Sequence, residues 1–278
     1  VGEGENFIAS DIPAILSHTR KIYLLNENEL TVITKDSITF LDEEDREVKK
    51  EIFEVNWDVA AAEKGGYEHF MIKEIHEQPK AVKDTMTSRI VHDSATIHLD
   101  DIKLTKEDLD GINKIFIVAC GTAYHAGMVG KYVIEKLAKI PVEIDIASEF
   151  RYRSPIIDSK TLTIIISQSG ETLDTLAALK EAKKHGSRIL SIVNVVGSSI
   201  ARESHDVLYT WAGPEIAVAS TKAYTTQIIA LYEVALHMAH LKGTLTDAQI
   251  GEIKTEMEKL PDMIKHSLKQ KENLQKFA

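Results

Sequence analysis

Three short segments carry the residue types that hold an oxyanion without a metal: Cys120-Gly121-Thr122, Ser167-Gln168-Ser169-Gly170-Glu171-Thr172 and Val218-Ala219-Ser220-Thr221-Lys222. The middle one is the sharpest. Ser167, Ser169 and Thr172 supply hydroxyl donors, and Gly170 lets main-chain N–H groups approach an anion at a helix N-terminus. The competing reading is that these hydroxyls only cap a helix, which is a frequent use of Ser and Thr. For one isolated loop capping is favoured; three such loops on one predicted sheet edge favour phosphate recognition.

Other reactive residues give weaker signals. Cys120 has His125 five positions on, but nearness along a starting helix does not put a base in reach of a thiol. Glu171 and Lys222 are read as capping, pairing or solvated groups, and no catalytic residue is assigned. His237 and His240 lack a third ligand, so no metal is expected. No phosphate loop ending in Gly-Lys-Ser/Thr occurs, and Gly2-Glu3-Gly4 lacks the third glycine of a dinucleotide fingerprint. No cofactor is expected.

From residue 112 onward, continuous apolar runs alternate with longer amphipathic stretches. The runs are IFIVA (115 to 119), VEIDIA (142 to 147), TLTIIIS (161 to 167), RILSIVN (188 to 194) and VLYTW (207 to 211). Helices are expected after the first, through Leu137, after the third, through Lys184, and over 221 to 241. Apolar strands separated by helices predict a parallel sheet covered on both faces. The fold expected is α/β, a doubly wound flavodoxin-like sandwich, whose ligand belongs beyond the carboxyl ends of the strands. The three hydroxyl-rich loops fall there.

Upstream, KIYLL (21 to 25), ELTVITK (29 to 35) and SITFLD (37 to 42) are divided by polar turns such as Asn26-Glu27-Asn28 and read as antiparallel β. Asp42 to Asp45 reads as a solvated turn. Fifty-odd residues of this kind are too few for a comfortable closed core, which suggests the end of a larger β-containing domain. The entry at GEGENFIASD without Met suggests an upstream part. AAAEKGG (60 to 66) suits a linker. The stretch 67 to 90 places Phe70, Ile72, Ile75 and Val82 on a helical face, with an interruption expected at Pro79 and Gln78 outside the α region. Beyond 244, Thr246 or Asp247 opens a Lys-rich helix. The domain plan is therefore 1–59, the end of a first domain; 60–101, a linker with a helix; 102–243, the α/β domain; and 244–278, a helical connection toward a further domain.

Thirty-three Lys and Arg face 43 Asp and Glu, a formal charge of −10 that argues against general affinity for nucleic acid. Cys120 is the only cysteine, so an intrachain disulfide is excluded and a reducing cytoplasm fits. No run approaches the roughly 18 apolar residues of a spanning helix, and no membrane association is expected.

GENFIASD (4 to 11), HFMIKEIHEQP (69 to 79), CGTAYHA (120 to 126), ASEFRYR (147 to 153), SQSGET (167 to 172) and VASTKA (218 to 223) resemble, in order, the successive motifs of the glutamine:fructose-6-phosphate aminotransferases. The resemblance spans nearly the whole chain. It implies that residues 1–59 end an Ntn-hydrolase-type glutaminase domain and that 102–243 form the first of two sugar-isomerase (SIS) domains. The activity implied is transfer of glutamine nitrogen to fructose 6-phosphate, followed by isomerisation to glucosamine 6-phosphate, with no metal or organic cofactor. It implies that Cys120, Gly121, Thr122, Ser167, Gln168, Ser169, Thr172, Val218, Ala219 and Ser220 line the phosphosugar site and that the enzyme is a homodimer. The family's cysteine nucleophile and Schiff-base lysine fall in parts this chain lacks, so these residues alone are expected to be inactive. A noncatalytic sugar-phosphate sensor is the alternative.

Overall fold

The computed structural model describes residues 1–9, 14–15, 18–26, 28–55, 64–91, 96–99 and 101–277. Parts of GENFIASD, Glu27 of the predicted turn and the proposed boundary at 59/60 lie outside them. The chain divides into two compact units, Val1–His69 and Phe70–Ala278.

The first unit is antiparallel, as its β-branched runs predict. Strands β1 (Lys21–Ile22) and β5 (Phe53–Glu54) form one pair, while β2 (Leu30–Ile33), β3 (Ile38–Leu41) and β4 (Glu47–Val48) form a small meander. Ile22 and Val55 are buried against Ile15 and Leu24. Asp42 to Asp45 is a turn, in which the Asp42 carboxylate accepts from the main-chain N–H groups of Glu44 and Arg46, each at 3.0 Å.

The second unit contains five parallel strands, β6 (Lys114–Ala119), β7 (Val142–Ile146), β8 (Thr161–Ser167), β9 (Arg188–Val193) and β10 (Asp206–Tyr209). Their order across the sheet is β7-β6-β8-β9-β10, with every pair parallel. This is the flavodoxin-like order, which reverses between β6 and β8. Alternate residues serve the two faces. Ile115 and Ile117 pack with Leu162, Ile164 and Leu190 on one side; Phe116 and Val118 pack with Ile165 and Ile189 on the other. Burial on both faces explains why the central runs of β6, β8 and β9 are nearly continuously apolar.

The first face carries α3 (Gly121–Ala138) and α7 (Lys222–Lys242), and the second carries α4 (Ala147–Phe150), α5 (Leu173–Lys184) and α6 (Ser199–Glu203). The one-turn α4 follows β7 directly. Gly130 allows α3 to lie close on α7: a Cβ there would meet Leu231 Cδ2 at 2.7 Å. Helix α1 (Phe70–Met86) packs on α7 and on α8 (Asp247–Leu268). Helix α8 starts in a capping box of Thr246 and Gln249, as the Thr246 reading anticipated.

The break expected at Pro79 does not occur. Helix α1 runs through Pro79 without interruption, and Gln78 stays helical. Proline removes the N–H that would bond the carbonyl of Ile75, and the Gln78 side-chain amide donates to that carbonyl at 3.1 Å instead. The predicted apolar face also differs. Ile72 and Ile75 are only half-buried, whereas the buried stripe is Lys73, Glu74, Ala81, Val82, Thr85 and Met86. No helix among the described residues is long and apolar enough to cross a membrane.

Candidate functional site

The site is built at the point where the strand order reverses. Ala119 of β6 pairs in register with Ile166 of β8, so the segments that follow, from Cys120 and from Ser167, leave the sheet side by side. Cys120 is the N-cap residue of α3 and Thr172 that of α5, and neither side chain makes a capping hydrogen bond. Two helix N-termini thus open on the same crevice with amides their caps leave unserved, and the helix dipole adds partial positive charge there. Gly121 and Thr122 are exposed at the start of α3, and Cys120 is half-buried, with the Thr175 hydroxyl donating to its sulfur at 3.8 Å.

The 167–172 loop is folded by its own hydroxyls. Ser167 Oγ accepts from the Gly170 N–H at 3.0 Å and lies 3.1 Å from Thr172 Oγ1, while Ser169 Oγ accepts from the Glu171 N–H at 3.2 Å. Ser167 is buried; Gln168 and Ser169 are half-buried; Thr172 is exposed. Gly170 is held at φ +68°, and a Cβ on it would stand 2.0 Å from Ser198 Oγ. The loop therefore needs glycine both for its left-handed backbone and for its approach to Ser198. Glu171 points away to accept from the Ser199 N–H at 2.7 Å, the capping role read for it.

The third loop differs. Val218 and Ala219 are exposed and Ser220 is half-buried. The N-terminus of α7 is already occupied by a carboxylate from the chain itself: Glu215 accepts from Ser220 Oγ at 2.9 Å, from the Thr221 N–H at 2.9 Å and from the Ala223 N–H at 3.1 Å. Lys222 is buried and paired with Glu77 of α1 at 2.7 Å, as its pairing reading holds.

Asn194, just beyond β9, ties the second loop to the segment 210–213 that follows β10. Its N–H donates to the Gln168 carbonyl at 3.1 Å, and its side-chain amide donates to the Gly213 carbonyl at 2.7 Å. Its side-chain oxygen accepts from Thr210 Oγ1 and the Ala212 N–H. Sequence reading took Asn194 only as the tail of a strand and passed over Glu74, Glu77, Glu215 and Ser198. An Asn beyond a buried strand and carboxylates on the inward stripe of a helix are the available signals, because a polar group at a core position must be bonded.

Helix α1 backs this edge of the unit. Arg89 Nη1, just beyond its end, meets Glu233 of α7 at 2.9 Å, with both side chains buried. Burial pushes the Glu233 carboxyl up to about 7 even though Arg89 pulls it down. Among the described residues no group of three His, Cys, Asp or Glu is placed to hold a metal ion.

Residues 108–238, within the α/β unit, match the SIS domain model. Over its full length the chain is 65% identical to the glutamine–fructose-6-phosphate aminotransferase [isomerizing] of Caldanaerobacter subterraneus subsp. tengcongensis and 63% identical to that of Clostridium tetani, covering 46% of each. The chain thus spans about half the length of these curated relatives. Among solved structures it is similar to the C-terminal domain of glucosamine-fructose-6-phosphate aminotransferase from Francisella tularensis, with a TM-score of 0.73 and 45% identity over 77% of this chain and 60% of that one. A protein described as a phosphosugar isomerase from Clostridium difficile, at 24% identity and a TM-score of 0.58 over 70% of this chain and 52% of that one, shares the fold. The resemblance read from the motifs is borne out along the whole sequence.

Proposed function

We propose that this chain is the central stretch of a glutamine-dependent fructose-6-phosphate aminotransferase and supplies the phosphosugar-binding half-site of its isomerising part. In this reading the whole enzyme moves the amide nitrogen of glutamine to fructose 6-phosphate and yields glucosamine 6-phosphate, as a homodimer in the cytoplasm. No catalytic residue is assigned within these 278 positions. The role argued for this stretch is therefore binding and orientation.

One observation supports the reading most: the uncapped N-terminus of α5, entered through Ser167, Ser169, Gly170 and Thr172, beside the uncapped N-terminus of α3. An exposed hydroxyl on Thr172 and the first-turn amides of α5 suit phosphate oxygens, and charge-assisted bonds of this kind are the strong ones. Cys120, Gly121 and Thr122 flank the same crevice. Gln168, Val218, Ala219 and Ser220 are assigned to the sugar side.

The test is calorimetric titration at fixed pH and salt. Fructose 6-phosphate or glucosamine 6-phosphate is expected to bind and to raise the melting temperature, while fructose does neither, since a ligand of the native state stabilises it by RT ln(1 + [L]/Kd). Replacing Ser169 and Thr172 together with Ala is expected to weaken binding by about tenfold or more in a protein that remains folded. Equal responses to fructose and its phosphate, or undiminished binding by the folded double variant, would overturn the phosphate cradle.

A further inference from the structure

Val218 to Ser220 lie between main-chain groups that two carboxylates hold. On the C-terminal side, Glu215 accepts from Ser220 and from the first amides of α7. On the N-terminal side, Glu74 Oε1 of α1 accepts from two consecutive main-chain N–H groups, Ile216 at 2.7 Å and Ala217 at 3.1 Å. Glu74 is only 2% exposed, and its Oε2 is buried without a partner. A buried carboxylate is costly, and a bare oxygen adds to that cost. A helix needing only a packing residue at this position is better served by Leu or Met, so the carboxylate must be doing something an apolar side chain does not.

Two amides in succession can both point at one oxygen only if the chain turns tightly there, so Glu74 sets the direction in which residues 216 and 217 run. That direction decides where Val218 emerges, fully exposed, and where Ser220 lies when it donates to Glu215. We infer that Glu74 is a positioning residue for the Val218–Ser220 segment: through two amides it carries the placement of α1 into the sugar side of the site. The inference rests on the proposed phosphosugar reading for its functional meaning, but its geometric part stands apart from it.

Amide hydrogen exchange on the 278-residue chain without ligand, followed by glucosamine 6-phosphate titration, separates the two. Glu74→Ala is expected to speed exchange at Ile216 and Ala217, which lose their acceptor, and also at Thr221 and Ala223, whose acceptor Glu215 is untouched, by about tenfold or more. Glu74→Gln keeps an oxygen in the same place and is expected to restore most of the protection and of the sugar affinity. Glu74→Asp, one methylene shorter, is expected to behave like the Ala variant and carries the test if Ala melts the protein. Faster exchange confined to Ile216 and Ala217, or a Gln variant no better than Ala, overturns the inference, because either result reduces Glu74 to a local tie. Wild-type protein that binds no glucosamine 6-phosphate defeats the functional reading, while the exchange pattern still decides the role of Glu74.

Discussion

Gln78 donates its side-chain amide to the carbonyl of Ile75, three residues back, at 3.1 Å, and accepts from Thr225 Oγ1 of α7 at 2.7 Å with its other end. One side chain thus repairs the hydrogen bond that Pro79 breaks and pins the repaired turn to the neighbouring helix. Gln78→Ala is expected to destabilise the protein by about 1 to 3 kcal/mol, the usual range for leaving partly buried polar groups unpaired. In the Gln78→Ala background, Pro79→Ala is expected to recover part of the loss, because it returns a donor to Ile75. Urea denaturation of the single and double variants measures both, and simple additivity would show that the two residues do not serve the same carbonyl.

Gly170 faces two demands at once. Gly170→Ala is expected to cost about 1 to 3 kcal/mol from the left-handed backbone alone, with further loss from the overlap with Ser198. Adding Ser198→Gly relieves the overlap and leaves the backbone strain, so the pair is expected to recover only part of the stability. Full recovery in thermal melts would mean that the backbone at +68° is not under constraint.

The contact between α3 and α7 predicts a different rescue. Gly130 has no positive φ, so Gly130→Ala suffers only from Leu231, and overpacking of this kind costs typically about 1 to 3 kcal/mol. Leu231→Val, which shortens the opposing side chain, is expected to offset much of that loss. A double variant as unstable as the sum of the two singles, measured by urea denaturation, would place the strain elsewhere.

Glu233 gives the pH dependence. Its folded pKa, about 7, lies above the ordinary 4.5. The native state therefore holds a proton that the unfolded chain releases between these values. The contribution is fully present below the unfolded value and is lost as pH rises through about 7. Wild type is expected to lose stability relative to Glu233→Gln across pH 5 to 7, with a limiting slope of about 1 kcal/mol per pH unit. Parallel stability curves for the two proteins in urea would remove Glu233 from the titration.

The strands were the most legible part of the sequence, and the reason is physical. TLTIIIS is buried at all seven positions, so its apolar continuity carries no ambiguity, and the loops at its end follow from sheet topology. The same local reading failed at Pro79, because the compensation there comes from Gln78 and from packing on α7, neither of which local propensity contains. It also missed Glu74 and Glu215, which look like any surface acids until the fold turns them inward. The hydroxyl-rich loops were read as a set, yet sequence alone could not tell that one of the three meets a carboxylate of the chain itself.

That internal anion has a consequence for selectivity by charge. Glu215 accepts from the first amides of α7, whereas the N-cap side chains of α3 and α5, Cys120 and Thr172, make no capping hydrogen bond. The helix starts that follow the three hydroxyl-rich segments thus differ: the start of α7 is served by a carboxylate of the chain, and those of α3 and α5 are not served by their N-cap side chains. Under the proposed phosphosugar reading, a sugar with a single terminal phosphate is expected to direct the phosphate to α3 and α5 and its neutral hydroxyl-bearing end toward Ser220. A sugar phosphorylated at both ends would bring its second phosphate up to a carboxylate with no spare donor, and should bind less tightly than the monophosphate despite its greater charge.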